Sequence, residues 1–322
     1  MGTFTALELI KNESLSLEKS LLEGVFEKTG LACLAGATDT GKSMVLRDFA
    51  IAISQEEDYF MGFKLNAVHN KVLFVSTEDS MSKTAELLKI QTEGLIDESL
   101  GRIRFVFNPD NSIEEVRKAL EQEQVDVIIV DCFSDVYEGD AINSNETRSY
   151  LRKWQKIADQ YGCLILYLHH LVKRGETGAP SKHNLHGGQG FQAKMRTVVE
   201  LRTDLHDINK RHFCITKGNY LKPEQKDRSF VLYFDPENLR FTSKGEREEY
   251  DNLYEKPIDY ERIKIYKKAS ELKKAGLMGK DIATQIGTSE STISRILNEG
   301  KKSNWDKLGS EDDDEPEELQ AA

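Results

Sequence analysis

The stretch from Leu31 to Ser43 constrains the fold of this chain more than any other part of its sequence. An apolar run, Leu31 to Ala35, leads into Gly36, Ala37, Thr38, Asp39, Thr40, Gly41, Lys42 and Ser43. Two glycines, a lysine and a hydroxyl residue at these offsets are typical of a phosphate-binding loop. Met44 to Ser54 then has helical apolar spacing, so the loop is predicted to join a buried strand to the N-terminus of a helix, where anions are attracted.

Each residue type in this loop has a mechanical reason to be there. Gly36 and Gly41 permit the left-handed backbone that turns amide groups toward an anion, and Lys42 adds a cation. The hydroxyl of Ser43 is suited to Mg²⁺. A glycine turn could also match by chance, and the sequence offers no reason for the aspartate at position 39.

Two further apolar runs are followed by carboxylates. Val72 to Ser76 precedes Glu78 and Asp79, and Val127 to Val130 ends at Asp131. In open α/β sheets ligands bind at the carboxyl ends of the strands, so Asp131 is predicted to organise Mg²⁺, and a carboxylate after the first run to orient or deprotonate water. The alternative for Glu78 and Asp79 is that they only cap the helix predicted near Ser82.

A third run, Cys163 to Leu168, ends in His169 and His170. A polar residue in this place can sense a terminal phosphate. Paired histidines could instead bind a metal ion, but no further cysteine, histidine or carboxylate stands at ligand spacing along the sequence.

The alternation of strands and helices predicts an α/β domain with a mostly parallel, helix-flanked sheet. We place a lead-in at 1–20, the domain at 21–243 and a linker at 244–257. Two polar segments within the domain, 134–145 and 172–190, are predicted to be loops, and 229–235 is the last predicted strand.

Residues 258–303 form a separate helical unit with the spacing of a helix-turn-helix, centred on Ala283 and Gly287. Ser291, Thr292 and Arg295 fall on the outward side of its second helix. Surrounding lysines give a positive excess that suits phosphate contacts. A small bundle that mediates oligomerisation is the alternative. Residues 304–322 are predicted to be an acidic, disordered tail.

Composition excludes several classes. The 322-residue chain has a net charge of -11, so nucleic-acid contact must be local. No apolar run reaches the roughly 18 residues of a membrane helix, and the N-terminus lacks the layout of a signal peptide, so we expect a cytoplasmic protein without membrane contact. Cys33, Cys132, Cys163 and Cys214 are expected to be reduced core residues.

These motifs together resemble the RecA-like ATPases, and more closely the AAA-type hexameric replicative helicases of broad-host-range plasmids and related mobile elements. The resemblance covers about 21–235. It rests on the phosphate loop, the two carboxylate strands, the Leu168-His169-His170 signature, the Gly187 to Arg196 segment and Thr216 to Tyr220.

The resemblance implies ATP and Mg²⁺ as cofactors and a role for each matching residue. Lys42 and Ser43 would hold phosphate and Mg²⁺, Glu78 would be the general base, and His170 the γ-phosphate sensor. Arg196 matches the family's arginine finger, which acts on the ATP of a neighbouring subunit, and Lys217 lies where a second such cation is expected.

The family forms ring hexamers with DNA-binding loops in the central hole. Here these loops would be 134–145 and 172–190, the second with Lys173, Arg174 and Lys182 as candidate contacts to single-stranded DNA. The first has no lysine or arginine. The helical unit, which family members do not need, could bind double-stranded DNA.

Three functions remain open at this stage. The first is a ring-forming replicative helicase of a plasmid, phage or mobile element. The second is an ATP-regulated DNA-binding regulator or loader that finds its site with the helix-turn-helix. The third is an ATP-regulated scaffold for protein interactions.

Overall fold

The computed structural model describes residues 3–12, 19–255, 260–303 and 305. The chain divides into two compact units, Met1–Glu255 and Lys256–Ala322. The predicted acidic tail and most of the N-terminal lead-in lie outside the described residues.

The first unit is built on strands and helices that alternate along much of the chain. Its strands are β1 (Gly30–Gly36), β2 (Tyr59–Phe60), β3 (Phe63–Lys64), β4 (Val72–Ser76), β5 (Ile103–Phe107), β6 (Val127–Asp131), β7 (Leu164–His170), β8 (Thr197–Thr203), β9 (Lys210–Gly218), β10 (Arg228–Asp235) and β11 (Arg240–Glu249). Its helices are α1 (Ala6–Lys11), α2 (Lys42–Ser54), α3 (Met81–Gln91), α4 (Ser112–Gln122), α5 (Phe133–Val136), α6 (Ser144–Tyr161), α7 (Lys173–Thr177) and α8 (Gly188–Lys194).

Within the described residues nine strands form one sheet in the order β11-β10-β9-β8-β1-β7-β6-β4-β5. From β8 to β5 every neighbouring pair is parallel. From β8 to β11 every pair is antiparallel. The predicted fold class, an α/β domain with a mostly parallel sheet, is therefore confirmed, and β1 lies in the middle of it.

The core lies on both faces of this sheet, because each central strand is apolar on both sides. On one face α2 packs Leu46 and Phe49 against the sheet. On the other face α6 contributes Leu151 and Trp154, and Trp154 is fully buried. Burial of each such side chain stabilises the fold by roughly 1.5 to 3 kcal/mol, so the two layers hold β1 and the loop after it rigidly in place.

The structure corrects two boundaries. The predicted linker, 244–257, begins within β11, which continues to Glu249 and pairs with β10. The sequence does not signal this strand because its residues are mostly charged. It lies at the edge of the sheet, where charged side chains remain in water and pair across strands, as Arg228 does with Glu249 at 2.7 Å.

The predicted loop at 172–190 is also wrong in part, since it contains α7 and the start of α8. These helices are too short to show a periodic pattern. An additional bridge between Leu171 and Leu185 closes the segment on itself.

The second unit contains three helices in its described residues, α9 (Tyr260–Lys274), α10 (Gly279–Ile286) and α11 (Glu290–Lys302). Ile282, Ile293 and Ile296 are buried in its core. Gly287 ends α10 in the left-handed conformation, with φ 78°, and Ser289 caps α11 by accepting a hydrogen bond from the amide of Thr292. A turn of this kind, glycine followed by a serine cap, separates two helices sharply.

Two expectations from composition can be set beside the structure. All four cysteines are buried and free. Among the described helices none has the length and apolar character needed to cross a membrane.

Candidate nucleotide-binding site

The phosphate loop joins β1 to α2, as its sequence predicts. Gly41 precedes α2 with φ 91°, and a Cβ atom there would lie 2.9 Å from the ring of Phe241. A Cβ atom on Gly36 would lie 2.6 Å from the carbonyl oxygen of Leu201. Both glycines are therefore required, Gly41 for its backbone conformation and its close contact, and Gly36 for its contact with β8.

The structure accounts for Asp39, which the sequence left unexplained. Its φ is 63°, in the left-handed region. Aspartate and asparagine adopt this conformation more readily than other non-glycine residues. Asp39 thus serves the turn of the loop, with its exposed carboxylate at the rim of the site.

Lys42 is buried at the base of the loop, and its Nζ donates a hydrogen bond of 2.6 Å to the carbonyl of Ala37. The same carbonyl accepts the hydroxyl of Thr40 at 3.0 Å. Burial lowers the pKa of Lys42, while the nearby carboxylates of Glu78 and Asp131 oppose that shift. The ammonium group is held inside a ring of oxygen atoms and is placed to exchange them for phosphate oxygens.

Asp131 ends β6 beside the loop, and it fits a divalent cation. Its Oδ1 is buried without a hydrogen-bond partner among the described residues, and its carboxyl group also contacts the hydroxyl of Ser43. Burial raises the pKa of Asp131 to about 7. A buried carboxylate oxygen that lacks a partner, next to a hydroxyl, is the oxygen-only donor set that Mg²⁺ prefers. Ser43 and Asp131 are the residues that would hold Mg²⁺.

Of the two carboxylates that follow β4, the structure separates one from the other. Asp79 forms an ion pair of 2.9 Å with Arg47, whose side chain is only 4% exposed. The Glu78 side chain is 44% exposed and lies 3.5 Å from Nε2 of His170. Asp79 therefore anchors the turn to α2, whereas Glu78 is directed toward the pocket.

The two histidines at the end of β7 also differ. His169 is buried and its Nε2 lies 2.8 Å from the carbonyl oxygen of His186, and burial lowers its pKa to about 4. It is a neutral structural residue that fixes the following segment. His170 has a side chain 39% exposed, and it faces the same pocket as the phosphate loop.

These residues line one cavity of about 510 Å³. Its lining includes Thr38, Asp39, Gly41, Lys42, Ser43, Arg47, Glu78, Asp79 and His170. The ends of β1, β4 and β7 converge there, which agrees with the position of ligands at the carboxyl edge of parallel sheets. The structure thus brings together the predicted phosphate, base and sensor residues.

Arg196 and Lys217 lie elsewhere in the same chain. Arg196 precedes β8 and crosses Gly30, the first residue of β1, so closely that a Cβ atom on Gly30 would lie 2.8 Å from Nε of Arg196. Lys217 pairs with Val198 near the start of β8, and its Nζ donates a hydrogen bond to the carbonyl of Gln192. β1 spans about 20 Å at 3.3 Å per residue, so both cations are at the edge opposite the phosphate loop.

The predicted DNA contacts occupy three surfaces. Lys173 and Arg174 are exposed on α7, and Lys182 is half-buried in a short turn after it. In the second unit Ser291 and Arg295 are exposed on α11, while Thr292 is half-buried, with its Oγ1 2.8 Å from Oγ of Ser289. The 134–145 segment has no basic residue.

Sequence reasoning missed three residues that shape the site. Arg47 anchors Asp79, Arg211 donates a hydrogen bond of 2.9 Å from Nε to the carbonyl of Thr40, and Phe241 packs against Gly41. Arg211 and Phe241 come from β9 and β11, far along the chain from the loop. Only a prediction of sheet order could have placed them.

Comparisons with known proteins agree with this geometry. A family model described as an AAA domain matches residues 5–176, which is more than half of the 322-residue chain. Among the solved structures, the ATPase domain of a replicative helicase is similar over 74% of this chain and 97% of that chain, with a TM-score of 0.55 and 13% sequence identity. At that identity the likeness supports the RecA-like fold and no more. No curated protein matches the chain. Because the family model spans the phosphate loop, both carboxylate strands and the paired histidines, the chain belongs to the AAA domain family.

Proposed function

We propose that this protein is a Mg²⁺-dependent ATPase that acts on DNA, as a ring-forming replicative helicase of a plasmid, phage or mobile element. The observation that carries the proposal is the convergence, in one cavity, of Lys42, the unpartnered oxygen of Asp131 and the exposed carboxylate of Glu78. Phosphate binding, metal binding and activation of water are the three requirements of nucleotide hydrolysis.

Each residue has one task in this mechanism. The loop amides and Lys42 bind the β- and γ-phosphates. Ser43 and Asp131 would hold Mg²⁺, which neutralises charge on the phosphate oxygens when bound. Glu78 accepts a hydrogen bond from the attacking water and takes its proton, and His170 donates to the γ-phosphate and changes position when that group leaves.

The site of one chain is incomplete without a second copy. An arginine finger stabilises the charge of the transition state, and Arg196 is the matching cation, but it lies at the far edge of its own sheet. In a ring, that edge would face the loop of the neighbouring subunit. Arg196 and Lys217 would then act in trans, and the assembly would be a homo-oligomer, in the form of a hexamer.

DNA contact would follow the segment after His170. Lys173 and Arg174 are exposed three and four residues beyond the sensor, so a movement of His170 on hydrolysis is transmitted directly to them. Lys182 adds a third cation to the same segment. The acidic 134–145 segment is unsuited to phosphate contact, which assigns single-stranded DNA to the 172–190 segment.

A second candidate function has its own supporting observation. In α10 and α11 the turn at Gly287 leaves Ser291 and Arg295 exposed near the start of α11, the place from which a recognition helix of a helix-turn-helix reads double-stranded DNA. The protein would then be a regulator or loader whose ATPase controls assembly. The exposed lysines of α9 would supply phosphate contacts.

The ATPase rate with and without single-stranded DNA, together with the size of the protein in ATP, tests the proposal. Stimulation by single-stranded DNA and a ring-sized species support the helicase, and strand displacement on a forked duplex confirms it. A footprint on duplex DNA that is lost on deletion of 258–322 supports the second candidate. Hydrolysis that is indifferent to any DNA contradicts both.

A further inference from the structure

Three side chains of different chemistry meet beside the phosphate loop. A carboxylate oxygen of Glu78, Sγ of Cys132 and a ring nitrogen of His170 all lie within 4.8 Å of one another. They follow β4, β6 and β7, which are adjacent in the sheet. The sequence conceals this cluster because its members are far apart along the chain, and spacing along the sequence gives no sign of a metal site.

Local contacts hold the three residues in register. The backbone amide of Cys132 donates a hydrogen bond of 2.9 Å to Oγ1 of Thr77, the residue before Glu78. Sγ of Cys132 lies 2.9 Å from Oγ of Ser134. His170 is the last residue of β7, the strand that pairs with β6. The cluster therefore belongs to the rigid edge of the sheet and needs no loop rearrangement to form.

The donor set favours a particular class of ion. Sulfur and imidazole ligands select Zn²⁺ and similar borderline-soft metals, whereas Mg²⁺ prefers oxygen ligands. Three protein ligands with an open fourth position are also a common arrangement around zinc. Ser43 and Asp131 offer only oxygen atoms, so the two sites differ in the metal they prefer although Asp131 and Cys132 are consecutive.

We propose that Glu78, Cys132 and His170 bind Zn²⁺ in the nucleotide-free protein and that this ion inhibits hydrolysis. The inference rests on the proposed function, because it makes the base and the sensor of that reaction the metal ligands. The ion binds a carboxylate oxygen of Glu78, the thiolate of Cys132 and a ring nitrogen of His170, and the thiol proton is released to solvent. Glu78 then has no free oxygen directed at water, and His170 cannot donate to phosphate.

Binding of Mg²⁺ and ATP opposes binding of zinc. Lys42 already lies close enough to Glu78 for the two charges to interact, and a second cation next to the Mg²⁺ position adds electrostatic repulsion. Free Zn²⁺ would thus silence the idle enzyme, and ATP with Mg²⁺ would protect it. The partner inferred here is the metal ion alone.

The binding test uses Co²⁺ as a spectroscopic probe of the full chain without nucleotide. The wild-type protein is expected to show a thiolate-to-cobalt charge-transfer band that Zn²⁺ abolishes by displacement. Cys132→Ala is expected to lose the band. Cys163→Ala, a matched change of a buried cysteine at the start of β7, far from the carboxyl edge, is expected to keep it.

A wild-type protein without the band, or a band that persists in Cys132→Ala, overturns the proposal. Thermal melting shows whether each variant is folded. His170→Asn provides a second variant in case Cys132→Ala does not fold, and a wild-type band intensity in His170→Asn also overturns the proposal.

The activity test uses Cys132→Ala, which keeps Glu78, Asp131 and the loop. We expect it to hydrolyse ATP with Mg²⁺ at the wild-type rate and to need at least about tenfold more Zn²⁺ for half inhibition, the scale on which loss of a metal-site partner weakens affinity. Equal inhibition of both proteins would mean that zinc acts on ATP itself and would overturn the regulatory claim. Absence of hydrolysis in Mg²⁺ alone would instead contradict the proposed function, while the cobalt titration would still decide the metal site.

Discussion

The two edges of the central sheet carry complementary halves of one reaction. At the carboxyl edge the phosphate loop, Asp131 and Glu78 form a pocket with every group needed to bind and activate a nucleotide. At the opposite edge Arg196 and Lys217 are half-buried cations with no phosphate site near them in the described part of the chain. The parallel strands that bring the first group together also separate it from the second, so a single chain has both halves but cannot join them.

The largest expected effect concerns the carboxyl edge. Lys42→Ala removes the buried ammonium group that replaces its bond to Ala37 by bonds to phosphate, so hydrolysis should fall to the background rate and ATP affinity should fall as well. Lys83 lines the same cavity but is exposed and pairs with Glu86. Lys83→Ala is the control, and it should retain activity in a phosphate-release assay. Similar losses in the two variants would contradict the role of Lys42.

The next effect tests the opposite edge. Arg196→Ala should reduce the rate by about 10³-fold or more, as loss of an arginine finger does, and should leave the binding of a fluorescent ATP analogue unchanged. Arg228→Ala removes an exposed arginine that pairs with Glu249 at the sheet edge and serves as the control. Wild-type turnover by Arg196→Ala would remove the finger assignment and with it the contrast between the edges.

A smaller effect depends on pH and sharpens the account of the carboxyl edge. Because burial raises the pKa of Asp131 from 3.8 to about 7, the folded protein without nucleotide holds a proton that the unfolded chain has released. The stability contributed by this proton is present below about pH 4 and is lost as the pH rises toward 7. Mg²⁺ needs the ionised form, so its affinity should rise over the same range.

Asp131→Asn tests this prediction, since asparagine does not titrate. Its melting temperature should depend less on pH than that of the wild-type protein and should be higher at pH 8, in thermal melts without metal or nucleotide. Glu200, whose pKa burial also raises to about 7, titrates in both proteins and leaves a common slope. Identical slopes in the two proteins would show that Asp131 is ionised from the start.

The smallest effect concerns the loop backbone. Asp39→Gly relieves a left-handed residue, with φ 63°, and should change the free energy of unfolding by less than about 1 kcal/mol. Gly41→Ala, by contrast, introduces a Cβ atom 2.9 Å from Phe241 and should destabilise the protein by several times as much. Denaturant titrations of the two variants compare them directly, and a large loss in Asp39→Gly would mean that its carboxylate has a further role.

How far the sequence could predict this structure depends on the distance over which each feature is encoded. The phosphate loop and the Asp131 strand are local patterns, so their residues could be placed from spacing alone. Arg47 with Asp79, and Phe241 with Gly41, are contacts between distant segments, and no local pattern marks them. β11 was missed because a charged edge strand lacks the apolar alternation of a half-buried one.

The metal-ligating cluster shows the same limit at the scale of single atoms. His170 was judged to lack partners along the sequence, yet the order β7-β6-β4 places Cys132 and Glu78 beside it. Strand order, which the sequence does not state, therefore decides both what completes the pocket and what can inhibit it.

A mixing experiment tests the shared site most directly. Lys42→Ala and Arg196→Ala are each expected to be inactive, but an equal mixture would contain interfaces in which the intact loop of one chain meets the intact Arg196 of another. Single-turnover hydrolysis of radiolabelled ATP should therefore reappear in the mixture. A mixture that assembles to the wild-type size yet remains as inactive as its components would contradict the claim that the two edges act together across a subunit boundary.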